Sequence, residues 1–94
     1  MMSAMTYIGV LMEEEKLPGY EKGIHGTFSS VPQPLPEGGK PLVVLELVVR
    51  AQYDNKKDEV FWYSLKRETH DAPWNLVDAW KTDLKGKREE VPVP

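Results

Sequence analysis

The chain has no cysteine, which excludes disulfides and thiolate metal sites and leaves the redox compartment open. Its only histidines are His25 and His70, so a histidine-based metal centre needs both to converge with carboxylates. His70 sits beside Asp71 in a turn, where neighbouring side chains diverge, and His25 lies in a glycine-flanked strand, so the two read as ordinary surface histidines and no metal is expected. No run approaches the roughly 18 apolar residues that a membrane span needs. Met1 to Met12 lacks the basic start and small-residue cleavage site of a secretory signal, so none is expected. Basic residues are not in excess either. Twelve Lys and Arg against 15 Asp and Glu give a net charge of −3, with no bulk attraction to nucleic acid or an anionic membrane. Ser3, Ser29, Ser30 and Ser64 have no nucleophile elbow around them, and Gly38-Gly39-Lys40 lacks the strand and spacing of a phosphate loop. The expectation is a soluble protein, cytoplasmic by default, with no cofactor and more readily an interaction module than an enzyme.

What is present suits a small folded domain. The 94 residues are 40% hydrophobic and 29% charged, which fits one globular unit spanning residues 1–94 and argues against disorder. A chain this short buries only about two-thirds of its extended surface, so three Trp, four Tyr and two Phe must supply much of its core.

Ala4, Tyr7, Ile8, Leu11 and Met12 recur at helical spacing, and Leu17 extends the stripe, predicting an amphipathic helix over about 3–17. Thr6 to Met12 is short enough to form a strand instead, but its periodicity favours the helix. Ser3 or Thr6 caps its start, and Pro18-Gly19 ends it. A first strand is predicted over about 23–31, weakened by Gly23 and Gly26. The proline- and glycine-rich stretch from Val31 to Pro41 is a loop. Residues 42–53 form the strongest predicted strand: Val43, Leu45, Leu47, Val49, Ala51 and Tyr53 are all apolar, the alternation of a face turned to a core. Asp54 to Asp58 makes a hairpin loop, and strands over about 59–69 and 74–83 follow. Residues 88–94 read as an extended tail or short edge strand, because Pro92 and Pro94 forbid a central one. The fold class is α+β: one N-terminal helix packed on a curved four-stranded antiparallel meander.

One feature of this pattern is anomalous. A sheet covered by a helix on one side is expected to be polar on the other. Here the second face carries Val44 and Val48 on the long strand and Val60 and Trp62 on the next. Period two places Trp74, Leu76, Asp78 and Trp80 together on one face of the last strand, with Val77 and Ala79 on the other. At about 25 cal/mol per Å², leaving several such side chains wet forfeits several kcal/mol of a net stability of only about 5–10 kcal/mol. Packing on a second copy, curling around a ligand and loop cover are the remedies, and a homodimer is the favoured one. Trp62, Trp74, Asp78, Trp80, Val44 and Val48 are the candidate ligand or interface residues.

Asp78 lies between Leu76 and Trp80, where desolvation would raise its pKa and suit it to acid–base work. The simpler reading pairs it across the sheet with Arg50, Arg67 or Lys66. Glu46 is a weaker candidate of the same kind. Trp80, Lys81, Lys85, Lys87 and Arg88 mix an aromatic with basic residues, as single-strand nucleic-acid readers do. Asp78, Asp83, Glu89 and Glu90 interrupt that cluster, so it reads as a solvated turn.

Val60-Phe61-Trp62-Tyr63-Ser64-Leu65-Lys66-Arg67-Glu68, a turn, and Trp74-Asn75-Leu76-Val77-Asp78-Ala79-Trp80 resemble the closing strands of the cystatin-like fold in its broad sense, which includes the NTF2-like superfamily. The resemblance covers about 30 residues, and the rest follows by element order. It implies a curved sheet whose concave side takes a helix or a ligand and whose convex side often dimerises. The extra helices that usually precede an NTF2-like sheet are missing or trimmed here. The Asp/Tyr set of the isomerase-type members and the Gln-x-Val-x-Gly loop of inhibitory cystatins have no match either, so neither activity carries over. Two functions remain: a non-catalytic module that self-associates through its sheet, or a small-molecule pocket protein, a lyase or isomerase using Asp78 in an apolar cleft.

Overall fold

The computed structural model describes residues 2–32, 38 and 43–94. Most of the expected proline-rich loop, including Gly39-Lys40, and the expected strand start at Leu42 lie outside the described residues.

Helix α1 spans Ala4–Glu13. Ser3 caps it, its hydroxyl accepting from the Thr6 N–H at 3.1 Å. The helix closes earlier than the apolar stripe predicts. The Lys16 N–H reaches back to the Leu11 carbonyl at 2.8 Å and the Glu15 N–H to Met12 at 3.2 Å, with Glu15 in the left-handed region at φ 59°. That is a Schellman closure with glutamate where glycine is usual. Leu17 is still buried, but as part of the chain that leaves the helix. Gly9 stands in the helix interior, where glycine costs about 1 kcal/mol relative to alanine, yet a β-carbon there would meet nothing within 4 Å among the described residues.

Among the described residues five strands follow: β1 Gly26–Ser30, β2 Glu46–Tyr53, β3 Val60–Lys66, β4 Asn75–Thr82 and β5 Arg88–Glu90. They form one antiparallel sheet in sequential order. The expected four strands become five because Arg88, Glu89 and Glu90, which precede the first tail proline, pair with Thr82, Lys81 and Trp80. Val91 continues the pairing through its N–H to Ala79 at 2.9 Å. Val43 to Leu45 precede β2 and are exposed, so the long strand is shorter than its alternation implies.

The core lies between α1 and one face of the sheet. Ile8, Leu11 and Leu17 meet Val49, Ala51, Tyr53, Phe61, Tyr63, Leu65, Trp74 and Ala79. Phe61 also packs on the chain just after the helix, where a β-carbon added at Gly19 would fall 2.2 Å from its ring. Two tyrosine hydroxyls are sealed inside. Tyr53 is 1% exposed and Tyr63 0%. The Tyr63 hydroxyl donates to the Pro18 carbonyl, so the 2.7 Å bond between the two phenols must be donated by Tyr53. Burial pushes the Tyr53 pKa up to about 12 and raises that of Tyr63 further.

A bulge decides which residues reach the other face. Ser64 pairs with Asp78 but Leu65 pairs with Leu76, so Val77 is an extra residue in β4. Trp74 and Leu76 therefore pack with the core, while Asp78 and Trp80 share the opposite face with Ser64 and Trp62. The period-two grouping of Trp74 and Leu76 with Asp78 and Trp80 fails at this one residue.

Candidate interaction surface

The face away from α1 carries a row of side chains that cross-strand register brings side by side. Arg50 pairs with Trp62, Trp62 with Trp80, and Trp80 with Glu90. The two indoles stack with centroids 6.3 Å apart and planes 5° from parallel. The Arg88 guanidinium lies 4.1 Å from the centre of the Trp80 ring, and that of Arg50 lies 5.9 Å from Trp62. Each guanidinium sits over a negative ring face, an attraction worth about 0.5–1 kcal/mol at an exposed site. The Trp62 indole N–H donates to the Thr82 hydroxyl at 3.0 Å. Both tryptophans are half-buried, flanked by one another and by the two guanidinium groups, with Val48 on the same face. Part of the uncovered apolar area is thus shielded from within the sheet.

Arg88 is also the centre of the row's charge pattern. It contacts Asp78 at 3.0 Å and Glu90 at 2.6 Å. Asp78 consequently meets an arginine on β5 rather than Arg50, Arg67 or Lys66, and its side chain is 41% exposed. It is an ion-paired surface carboxylate rather than one pressed into an apolar cleft. Glu46 pairs with Lys66 at 3.4 Å, both exposed. Trp74 is elsewhere: it is 6% exposed, with the Arg67 guanidinium 4.2 Å from its ring centre. Val44 is exposed ahead of β2 and its carbonyl accepts from Arg67 at 2.8 Å. Of the six candidate residues, the fold unites Trp62, Asp78, Trp80 and Val48 on one surface and sends Trp74 to the core.

The basic cluster near the C-terminus is partly neutralised by carboxylates. Lys81 binds Glu59 at 2.9 Å and Glu89 at 3.7 Å, and the hydrogen bond it donates to Glu59 holds its ammonium above the usual lysine range. These three line a shallow hollow of about 460 Å³ with Asp83, Lys87 and Arg88. Among the described residues, no group of three His, Asp or Glu stands close enough to share a metal ion. His70 lies 3.8 Å from Asp71, both exposed. No helix among them is long and apolar enough to cross a membrane.

A second hollow, about 400 Å³, runs between α1 and β1. Met5, Gly9 and Met12 form its helix side, and Ile24, Gly26 and Phe28 its strand side. Sequence reasoning missed this groove, although a glycine inside an amphipathic helix was its available signal. It also missed Arg50 and Arg88 as partners of the tryptophans, which only the strand register reveals.

No family model, no curated protein and no solved structure matches this chain.

Proposed function

We propose that the domain is a non-catalytic interaction module that self-associates through the open face of its sheet. The observation that carries this reading is the Trp62–Trp80 stack, held half-exposed in the middle of that face between Arg50 and Arg88. Tryptophan and arginine at the centre of a patch are the residue types that dominate protein interfaces. Both indole faces already have neighbours, which leaves little room for stacking a nucleobase. The cystatin-like resemblance supports the same reading, since that fold often dimerises through the side its helix leaves open.

The row is self-complementary in one orientation. From β2 to β5, Arg50 stands at one end and Glu90 at the other, with the two tryptophans between, while Ser29 lies beyond Arg50 on β1. A two-fold axis parallel to the strands sets Trp62 over Trp80 of the second copy and Arg50 over its Glu90. An axis along the row instead sets like charges on each other. With the axis parallel to the strands β2 to β5 overlap, and three strands about 25 Å long with one of about 10 Å, spaced about 4.8 Å apart, offer a flat footprint of roughly 400 Å². Standard stable interfaces bury about 800 Å² per partner, so the expected dimer is weak and concentration-dependent.

Native mass spectrometry and sedimentation velocity over a concentration series test this. The dimer fraction should rise with concentration, fall in Arg50→Glu, and recover when Glu90→Arg is added. A monomer at every concentration refutes self-association. A monomer with a few hundred daltons of bound mass would instead support the small-molecule reading.

A further inference from the structure

Strand β1 is an edge strand whose only partner among the described residues is β2. Its backbone phase follows from its ends. The Asp54 N–H bonds to the His25 carbonyl at 3.0 Å and the Val31 N–H to the Val48 carbonyl at 2.9 Å. In an antiparallel ladder the residues in phase with these, Thr27 and Ser29, turn their backbone groups toward β2. Gly26, Phe28 and Ser30 therefore turn theirs outward, in the geometry that accepts another strand.

The groove between α1 and β1 runs beside that edge, and its lining is apolar apart from His25 and the Tyr20 hydroxyl. Gly9 forms part of its wall, and among the described residues nothing lies within 4 Å of where a β-carbon would stand. A helical glycine that no close contact within the fold requires leaves room for atoms from outside it.

We propose that the β1 edge takes a sixth strand: an extended peptide of alternating apolar and polar residues, whose apolar side chains lie in the groove over Gly9. The alternation follows from the two sides of β1. Phe28 faces the core side, while Thr27 and Ser29 are exposed on the other. Main-chain bonds at Gly26, Phe28 and Ser30 supply affinity, and the groove selects uncharged inward side chains. A second copy's β1 is the poorer occupant. On the inward side it presents Gly26, Phe28 and Ser30, a single apolar residue that leaves the space over Gly9 unfilled.

The probe is a terminally blocked seven-residue peptide of alternating Thr and Val, compared with the same peptide carrying proline at its central position. Amide exchange of the full chain should slow at least tenfold at Gly26, Phe28 and Ser30 with the first peptide and stay unchanged with the second. Gly9→Leu fills the groove from the helix side without meeting the core. It should weaken binding at least tenfold while leaving the melting temperature unchanged or raised. Four results overturn the proposal: no protection, equal binding of the proline peptide, undiminished binding by Gly9→Leu, or protection confined to the strands around Trp62 and Trp80. Protection of the same amides by raising protein concentration alone also overturns it, and assigns the edge to a second copy.

Discussion

Tyr53 and Tyr63 differ in what each hydroxyl does, and that difference has a measurable consequence. Tyr63 accepts from Tyr53 and donates to Pro18, whereas Tyr53 only donates. Tyr63→Phe removes both bonds and leaves a buried hydroxyl without its acceptor and a carbonyl without its donor. At about 1–3 kcal/mol for the stranded Tyr53 hydroxyl and about 1 kcal/mol for the half-buried Pro18 carbonyl, the expected loss is about 2–4 kcal/mol. Tyr53→Phe removes one bond and leaves Tyr63 still donating to Pro18, so its expected loss is about 0.5–1.5 kcal/mol. The double variant has no stranded hydroxyl and should lose less than the sum of the two. Urea unfolding followed by tryptophan fluorescence measures all three. Alkaline titration gives an independent check. Both phenols ionise at higher pH in the native state than in the unfolded chain, so the native state holds its protons longer. Their contribution is complete below about pH 10 and is lost as pH rises toward 12, at about 1.4 kcal/mol per pH unit for each tyrosine. Tyr63→Phe should roughly halve that slope. Equal losses in the two single variants, or a larger loss in Tyr53→Phe, would refute the assigned direction of the hydrogen bond.

Three further outcomes follow from local geometry. Glu15→Gly should stabilise the chain by up to about 1 kcal/mol in urea unfolding, because residue 15 sits at positive φ at the helix end. Gly19→Ala should destabilise it by more than 1 kcal/mol in thermal melts, since φ there is 82° and the new methyl would strike the Phe61 ring. Trp74→Ala should cost about 3–5 kcal/mol as a core truncation, whereas Trp80→Ala should cost clearly less in dilute monomeric protein. Chemical denaturation of the two variants side by side checks the order.

Much of the fold was legible in the residues because burial writes itself as periodicity. The alternation ending at Val49, Ala51 and Tyr53 and the Ile8–Leu11 stripe both mark core contacts that the structure contains. The departures came from single residues that periodicity does not register. Glu15 takes a backbone state usually left to glycine, so the helix ends before Leu17. Residues 88–94 read as an extended tail or a short edge strand, and Arg88 to Glu90 take the second form, the choice resting on pairing with β4 that prolines nearby do not reveal. Of the candidate surface, Trp62 and Trp80 were named from their apolar excess on the second face. Their flanking by Arg50 and Arg88 depends on register across four strands, which no local pattern encodes. Trp74 was grouped with them because one inserted residue in β4 is invisible to an alternation count.

That insertion makes β4 unusual in its tolerance to losing length. Val77 is exposed and interrupts the pairing between Ser64–Asp78 and Leu65–Leu76. Removing it alone would turn β4 into an uninterrupted ladder with Leu76 still inward and Asp78 and Trp80 still outward. Removing Ala79 instead would either push Trp80 into the core or turn Asp78 inward. Evolution or design can therefore shorten this strand by one residue at a single place, and the chain's frame of inside and outside hinges on that position.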